Sequence, residues 1–354
     1  MVRIIKSEDG LYMIRIGIDA NGGDYGVNST VPAAIKATNE FKDISIVLYG
    51  DESKIKPILD NNKYDSNRIS IVHTEETLSM GEKDPMKAVR KQKNASLNLA
   101  MYAAKNDEVD GVVTSGPTQC VVLASHVIIR RIPEMERVAL CPIIPNFDGN
   151  ARLMLDVGAN VELKPEHLGQ FAIYATIYAK EILGKKNPSV GYLNIGSEPG
   201  KGRELDKEVY YYLKDLEGIN FYGNIEGDNV FDCPTDIILC EGYGGNICMK
   251  ALEGTAKGMA RMLKQEIKSS IGGKIGYLFM RKNLKRFAKR MDSSEVGGAM
   301  IIGIKKPVVK AHGNSDSYAF YNAIKQVILM IKSNINEKVI SMLPKPKEEV
   351  STDE

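Results

Sequence analysis

The segment 190–204, VGYLNIGSEPGKGRE, contains the pattern that decides the fold: an apolar β-rich run, a glycine-rich turn and the start of a helical stretch. It also resembles a nucleotide-binding P-loop. That loop needs four residues between its first glycine and the Gly-Lys pair, followed by Ser or Thr for magnesium. Here only three residues separate Gly196 from Gly200, and Gly202 follows Lys201. The segment therefore indicates a strand–turn–helix unit whose turn fits a smaller anion than a triphosphate.

The same unit recurs along the chain, because short β-rich runs alternate with longer helical patterns almost throughout. This alternation is typical of βαβ units and predicts an α/β fold with a mostly parallel sheet. The predicted strands cover residues 14–19, 44–49, 69–73, 111–114, 138–141, 153–156, 190–195, 236–240, 300–304 and 308–311. The clearest predicted helices cover residues 166–183, 203–216 and 315–335.

Polar, glycine-bearing turns follow six of the predicted strands, at residues 19–26, 114–119, 156–160, 194–202, 240–246 and 311–316. Ligands bind open parallel sheets outside the carboxyl ends of the strands, where glycines and helix N-termini let backbone N–H groups approach an anion. We therefore expect the six turns to share one edge of one sheet and to outline an anion-accepting cleft. The alternative is that these turns are glycine-rich for steric reasons alone.

The composition is that of an ordinary globular chain of 354 residues, 43% hydrophobic and 26% charged, with a formal net charge of +2. So small a charge excludes whole-molecule attraction to polyanions, and we predict no nucleic-acid partner. The five cysteines form no CxxC pair, which favours free thiols in a reducing cytoplasm over structural zinc or a disulfide framework. We expect no signal peptide and no membrane-spanning segment.

Several catalytic motifs are absent from the sequence. It contains no GxSxG, no HExxH and no GxGxxG after the first strand, and its four histidines are scattered. We therefore expect no metal and no organic cofactor, and neither a serine hydrolase nor a zinc enzyme. The remaining chemistry is one that needs no enzyme nucleophile. Attack by phosphate is of this kind, because it needs only orientation, charge shielding and an electrophile held nearby.

The turns and their flanks form an ordered series of motifs: IGIDANGGD, LDVGANVELKPEHL, VGYLNIGSEPGKGRE, INFYGNIEG, EGYGGNICMKALEG and SSEVGGAMIIGIKKPVVKAHGNSD. From about Ile14 to the helix after Asp316, the series resembles that of the phosphate acyltransferase family of bacterial phospholipid synthesis. The resemblance implies transfer of an acyl group from the thioester of acyl carrier protein to inorganic phosphate, giving acyl phosphate. It also implies a three-layer α/β/α fold akin to isocitrate and isopropylmalate dehydrogenases and to phosphotransacetylases, a homodimer, and loose association with the membrane.

The candidate catalytic residues of this reaction are Lys201, Asn160, Asn246, His312 and Asp19. Lys201, flanked by glycines, is expected to contact phosphate or acyl phosphate, the alternative being a solvated loop lysine. Asn160 and Asn246 can donate amide N–H groups to the oxyanion on the thioester carbon. His312 is expected to protonate the departing thiolate or to bond phosphate, or else to make a structural hydrogen bond only. Asp19 is expected to orient donors or to accept a proton.

The predicted substrate-binding residues lie in the same turns and are Gly22, Gly23, Asp24, Ser115, Gly116, Thr118, Asp156, Asn194, Gly196, Gly202, Gly245 and Ser315. For Asp24 the alternative is capping of the next helix. One turn departs from the family pattern, because TSGPTQC (114–120) stands where the family has Ser-Ala-Gly-Asn-Thr-Gly-Ala. Pro117 thus removes a backbone N–H and an amide from the cleft, although proline suits the first turn of a helix. Either Gly116 and Thr118 still serve the cleft or activity is reduced.

Residues 255–290 form a basic amphipathic segment, in which Glu266 is the one acidic residue and the basic residues are 257, 261, 264, 268, 274, 281, 282, 285, 286, 289 and 290. A break at SSIGGKIGYLF (269–279) predicts two helices with an apolar tip between them. Such a pair is typical of a membrane-surface element, and each basic residue near an anionic leaflet contributes about 1 kcal/mol. The alternatives are docking of the acidic acyl carrier protein, as the resemblance implies, and a plain solvated helical face.

From these observations we predict a cytoplasmic, peripherally membrane-associated acyl carrier protein:phosphate acyltransferase. We expect a single domain over residues 14–338, an N-terminal extension over residues 1–13 and a disordered tail over residues 342–354. Two alternatives stay open. One is a phosphotransacetylase-like enzyme that uses acyl-CoA, and the other is a catalytically weakened membrane-binding scaffold, which Pro117 suggests.

Overall fold

The computed structural model describes residues 13–145, 149–290 and 297–343. The strands are β1 (Ile14–Asp19), β2 (Ile44–Gly50), β3 (Ile69–His73), β4 (Gly111–Thr114), β5 (Ala139–Cys141), β6 (Ile143–Pro145), β7 (Ala151–Leu155), β8 (Ser189–Asn194), β9 (Asn220–Glu226), β10 (Ile237–Leu239), β11 (Gly298–Ile302) and β12 (Val308–Ala311). The α-helices are α1 (Val27–Glu40), α2 (Glu52–Asp60), α3 (Pro85–Lys91), α4 (Ser96–Lys105), α5 (Thr118–Ala124), α6 (Pro165–Glu181), α7 (Glu204–Asp215), α8 (Gly242–Ser269), α9 (Ile271–Arg290), α10 (Ser317–Lys332) and α11 (Ile335–Met342).

The strands form two sheets, so the expectation of a single sheet is wrong. Seven strands pair in the order β3-β2-β1-β4-β12-β11-β5, and five pair in the order β6-β7-β10-β8-β9. The alternation of strands and helices gives strand direction but does not encode which strands pair. Two strands, β6 and β9, are additional to those predicted. The six glycine-bearing turns are accordingly divided, three following strands of each sheet.

Most pairings are parallel, as the βα alternation predicts, and the exceptions lie at the side where the two sheets meet. β11 is antiparallel to both β12 and β5, and β6 is antiparallel to β7. In the register of the larger sheet, Lys310 lies opposite Thr114 on one side and opposite Ala299 on the other. Residues directly opposite each other point to the same face of a sheet, so these three side chains form one row.

Helices cover both faces of the larger sheet, which confirms the predicted α/β/α arrangement. α1 and α10 pack together on one face, and α4 packs on β1, β2 and β4. All six residues of β1 are buried, as expected for a parallel strand covered on both sides. One continuous apolar core includes Val113 of the larger sheet and Leu155 of the smaller one. The single domain over residues 14–338 stays a prediction.

The helical pair predicted over residues 255–290 is present, with a break at Ser270 between α8 and α9. The apolar residues around that break are exposed: Ile271 by 77%, Leu278 by 69% and Phe279 by 84%. The protruding pair therefore presents an apolar tip, as the sequence pattern predicts.

The C-terminal elements differ from the prediction at two places. The helix expected over residues 315–335 is divided into α10 and α11 at Asn334, whose φ is +50°. α11 continues to Met342, and Leu343 is buried, so the predicted tail begins too early at residue 342. The rest of that tail, and the extension before Met13, lie outside the described residues.

Candidate active site

Asp19 joins three elements at the carboxyl end of β1. Its side chain is buried; Ser96 on α4 donates to one carboxylate oxygen at 2.5 Å, and Thr114 on β4 donates to the other at 2.7 Å. The backbone N–H of Gly22 is a third donor. Burial raises the pKa of Asp19, and these hydrogen bonds oppose the rise. Asp19 therefore ties β1 to β4 and α4, and both of its oxygens already accept protein donors.

The turns after β1, β4 and β12 are in direct contact. Ser115 Oγ donates to the carbonyl oxygen of Gly22 at 2.8 Å, and the N–H of Asp24 donates to the carbonyl oxygen of Gly313 at 2.7 Å. Gly23 has a φ of +83°, and a side chain there would collide with Ser115. These predicted substrate-binding positions are thus points of close approach between three turns of the larger sheet.

Asp24 and Ser315 lie beside this cluster. α1 begins after Gly26, and no side chain caps it, so the capping alternative for Asp24 is wrong. The Asp24 side chain is exposed, and its charge favours the protonated form of Lys310. Ser315 is buried, and its N–H donates to the carbonyl oxygen of His312 at 3.1 Å. Ser315 therefore fixes the turn that carries His312.

The turn after β7 is organised by the buried Asp156. Its carboxylate accepts hydrogen bonds from the backbone N–H groups of Leu140, Gly158, Ala159 and Asn160, at 2.8 to 3.1 Å. Burial raises the pKa of Asp156, and this set of donors opposes the rise because it favours the charged form. The Asp156 carboxylate therefore fixes the backbone conformation of the turn after β7.

Asn160 is part of the same network. Its Nδ2 atom donates to Asp156 Oδ2 at 2.9 Å and to the carbonyl oxygen of Val138 at 2.7 Å. An amide NH₂ group has two hydrogens, so both are engaged within the protein. This geometry corrects the expectation that Asn160 donates to a substrate oxyanion, because it has no N–H left to offer. Its place is that of a positioning residue.

Asn246 lies in the first turns of α8, close to the turn after β7. Its Nδ2 atom donates one hydrogen bond, to the carbonyl oxygen of Val157 at 2.8 Å. Gly245 precedes it, and a side chain at Gly245 would collide with the backbone of Asp156. Gly245 thus lets α8 start against the β7 turn, which positions Asn246 at the cavity described below.

The turn after β8 holds itself together. Asn194 Nδ2 donates to the carbonyl oxygen of Lys201 at 3.2 Å, and the Lys201 side chain is half exposed with its ammonium 3.9 Å from Glu198. Gly202 has a φ of +91°, and a side chain at Gly196 would meet that of Lys201. Arg203 connects this turn to the next one, since its guanidinium lies 3.0 Å from Glu241.

A cavity of about 280 Å³ lies where the two sheets meet. The polar residues of its lining are Thr118, Asn246, Lys250, Glu253, Lys310 and His312. The apolar ones are Leu140, Pro142, Ile143, Val157, Met249 and Ala299, and Gly297 and Gly298 complete the lining. Turns of both sheets contribute to this lining, but it includes no residue of 194–202. The structure therefore brings Thr118, Asn246 and His312 together and leaves Lys201 apart from them.

Lys310 and His312 lie two residues apart at the end of β12, so their side chains share one face. Burial lowers the pKa of the Lys310 ammonium, and the negative charges of Glu253 and Asp24 oppose that shift. Burial also lowers the pKa of His312, and the nearby positive charge of Lys310 lowers it further. His312 Nε2 lies 3.9 Å from Glu253. The cavity lining thus places Lys310 near the half-exposed imidazole of His312, whose pKa is lowered.

Pro117 sits immediately before α5 and is buried. It leaves Thr118 as the first helical residue, and Thr118 lines the cavity. The N–H of Gly116 donates to Thr114 Oγ1 at 2.9 Å and is therefore not free for a ligand. Of the two residues expected to compensate for the proline, Thr118 is the one placed at the cavity.

Within the described ranges, no group of three or more His, Cys, Asp or Glu side chains is arranged to hold a metal ion. The same residues contain no helix with the length and apolar character needed to cross a bilayer.

The profile of the family described as "Fatty acid synthesis protein" matches residues 14–338. The chain belongs to this family. Relatives are phosphate acyltransferases: that of Acholeplasma laidlawii is 44% identical over 94% of this chain and 98% of its own length, and that of Bacillus cereus is 40% identical over 94% and 99%. The motif resemblance is therefore confirmed, as is the prediction of a phosphate acyltransferase of fatty acid and phospholipid synthesis.

The fold of this fatty acid synthesis protein also resembles a solved phosphotransacetylase. The structure from Streptococcus pyogenes superimposes with a TM-score of 0.58 over 92% of this chain and 94% of that chain, at 15% sequence identity. At that identity the likeness shows the fold alone, and it confirms the phosphotransacetylase-like architecture.

Of the residues that line the cavity, only Thr118, Asn246 and His312 were among the predicted ones; Lys310, Glu253 and Met249 are examples of those that were not. One signal was available for Lys310, because a lysine within the apolar strand VVKA stands two residues before His312 and so shares its face. Glu253 and Met249 carried no comparable signal, since both read as ordinary positions of an amphipathic helix.

Proposed function

We propose that the chain transfers a fatty acyl group from the thioester of acyl carrier protein to inorganic phosphate, at the cavity between the two sheets. The observation that carries the proposal is the convergence of Lys310, His312, Asn246 and Thr118 on one cavity, whose lining also contains six apolar residues. A cation with neutral hydrogen-bonding groups suits phosphate, and the apolar residues suit an acyl donor.

Lys310 and Thr118 are assigned to phosphate in this proposal. The positive charge of the Lys310 ammonium compensates the negative charge of phosphate. Thr118 offers its hydroxyl and the backbone N–H at the start of α5. His312 is assigned to a hydrogen bond with phosphate. Protonation of the thiolate is the less suitable role for it, because burial and Lys310 lower its pKa. Lys201 stays a prediction for a more distant contact.

The reaction then needs little proton transfer. A phosphate oxygen attacks the thioester carbon, the C–O bond forms, and the C–S bond breaks to release the thiolate. A thiol has a pKa of about 8–9, so the thiolate is a stable enough leaving group to take its proton from solvent. Asn246 is assigned to the developing oxyanion through its remaining N–H, and loss of such a donor typically costs about 100-fold or more in rate.

The test is to incubate the protein with palmitoyl-acyl carrier protein, with and without phosphate, and to measure the phosphate-dependent release of the carrier thiol and formation of acyl phosphate. A parallel reaction with palmitoyl-CoA separates the phosphotransacetylase-like alternative, which predicts product from the CoA thioester only. Absence of product from both donors, with a native circular dichroism spectrum, would leave the scaffold alternative.

Association with an anionic membrane surface is a second part of the proposal, and the α8–α9 pair supports it. Its tip exposes Ile271, Leu278 and Phe279, next to the lysines and arginines of α9. Apolar insertion and basic attraction act together in interfacial helices. Docking of the acidic carrier on the same basic face is the competing use of this surface. A homodimer is also proposed, and light scattering on the purified protein tests it.

A further inference from the structure

We propose that the apolar residues of the same cavity bind the first carbons of the acyl chain, and that Ala299 and Met249 determine how well that chain fits. This inference rests on the proposed function. It goes further by assigning an acyl-chain subsite next to the phosphate position.

The larger sheet presents a polar-to-apolar gradient on one face. Lys310 on β12 lies opposite Ala299 on β11. Leu140 on β5 lies opposite Ile301, which is two residues after Ala299 on β11. Directly opposite residues have Cβ atoms about 5 Å apart, and diagonal neighbours about 7–8 Å. Lys310, Ala299 and Leu140 thus form a row that leads from the lysine to the apolar lining over roughly 12 Å.

Residues of the smaller sheet and of α8 also line the subsite. The N–H of Val157 donates to the carbonyl oxygen of Leu140 at 3.1 Å, which joins the β7 turn to β5. The apolar lining also includes Ile143 on β6 and Met249 on α8. Asn246, one helical turn before Met249, lines the same cavity and donates to the carbonyl oxygen of Val157. A thioester held at Asn246 therefore has its chain beside Met249.

The size of the cavity limits what it can hold. Its volume of about 280 Å³ lies just below the range of small-ligand sites, roughly 300–1,000 Å³. It accommodates the reacting groups and the first carbons of a chain, and the remainder of a fatty acyl chain must leave through its open side. Contacts at these first carbons are expected to matter, because one methylene in an apolar pocket changes specificity about 10- to 200-fold.

Two stable probes separate the chain from the anion. Ethylphosphonate reports on the phosphate position alone, whereas octylphosphonate adds a chain to the same headgroup. Calorimetry on the full-length protein is expected to give octylphosphonate a Kd at least tenfold below that of ethylphosphonate. The difference between the two affinities is the contribution of the proposed subsite.

Two substitutions change the subsite in opposite ways. Ala299→Leu fills it, and Met249→Ala removes part of its wall. Each is expected to reduce the preference for octylphosphonate about tenfold, and Met249→Ala is expected to change the ethylphosphonate Kd by less than about twofold. The matched controls are Ala151→Leu, at a half-buried alanine outside the cavity, and Met259→Ala, at an exposed methionine further along α8. Both controls are expected to retain the wild-type preference.

An unchanged chain preference in both variants, or equal affinity of the two probes for the wild-type protein, would overturn the inference. If Ala299→Leu fails to fold, as judged by its melting curve, Met249→Ala decides the outcome. A chain preference that follows these variants in a protein that makes no acyl phosphate would refute the proposed function and leave the subsite in place.

Discussion

Replacement of Lys310 by methionine is the sharpest test of the phosphate position, because it removes a charge and largely keeps the volume of the side chain. A hydrogen bond to a charged group is worth about 1.5–3 kcal/mol. At about 1.36 kcal/mol per factor of ten, Lys310→Met is expected to lower kcat/KM for phosphate about 10- to 150-fold. The loss should appear mainly in the phosphate dependence, since the apolar side of the cavity is unchanged.

The fold is expected to survive this substitution. Lys310 lies opposite the small apolar Ala299, and its charge is disfavoured by burial. An apolar side chain at this position removes the cost of burying the Lys310 charge. Glu253 keeps contact with water, because its side chain is 34% exposed. Thermal unfolding of Lys310→Met should therefore follow that of the wild-type protein closely.

The assay measures initial rates of acyl phosphate formation over a range of phosphate concentrations. Lys305→Met is the matched control, since Lys305 is exposed and precedes β12 in the same segment. Lys201→Ala provides the comparison with the turn after β8, and we expect its effect on phosphate dependence to be the smaller one. A folded Lys310→Met protein with wild-type phosphate dependence refutes the reasoning, and a large loss in Lys201→Ala would transfer the anion to that turn.

Three further predictions concern stability, pH and the membrane. Asn160→Ala is expected to lower the free energy of unfolding by about 1–3 kcal/mol, because it removes the side-chain donor to the carbonyl oxygen of Val138 and one of the donors to Asp156, whereas the exposed Asn229→Ala should change it little in urea titrations. Burial lowers the pKa of Lys310, and its positive charge is lost as pH rises through that pKa. The affinity for phosphate should therefore fall at a pH below the ordinary lysine pKa of about 10.4. The pH–rate profile of Lys310→Met should lack this alkaline decrease. Phe279→Ser is expected to weaken flotation with anionic vesicles without reducing turnover in solution, and equal loss in Tyr222→Ser, an exposed aromatic on β9, would contradict a specific role of the tip.

Much of the fold follows from patterns that are local in the sequence. The strand at residues 14–19 and the turn that follows it are read directly from apolar alternation and glycine placement, and the structure has β1 at those residues. The division between α8 and α9 follows from the glycines after Ser270 in the same way. Such features depend on neighbours within a few residues, which is why one sequence is enough to find them.

The cavity could not be derived in that way, because it depends on pairings between distant segments. Only the antiparallel placement of β11 beside β12 puts Ala299 next to Lys310. The assumption of one sheet placed Lys201 with the other turns, but its strand β8 lies further from the junction of the two sheets than β7 and β10 do. Asn160 shows a related limit, since the sequence reveals its amide but not the carboxylate and carbonyl that occupy it.

The length of α8 has a mechanical consequence for the cavity. The helix is anchored at its start, where side chains at Gly242 and Gly245 would collide with the backbone of Asn160 and Asp156. At 1.5 Å per residue its 28 residues make a rod of about 42 Å, with Met249 only about 10 Å from the anchor. A tilt of about 5° moves the far end by roughly 4 Å but Met249 by less than about 1 Å. A tilt of α8 therefore displaces Met249 at the cavity about fourfold less than it displaces the far end of the helix.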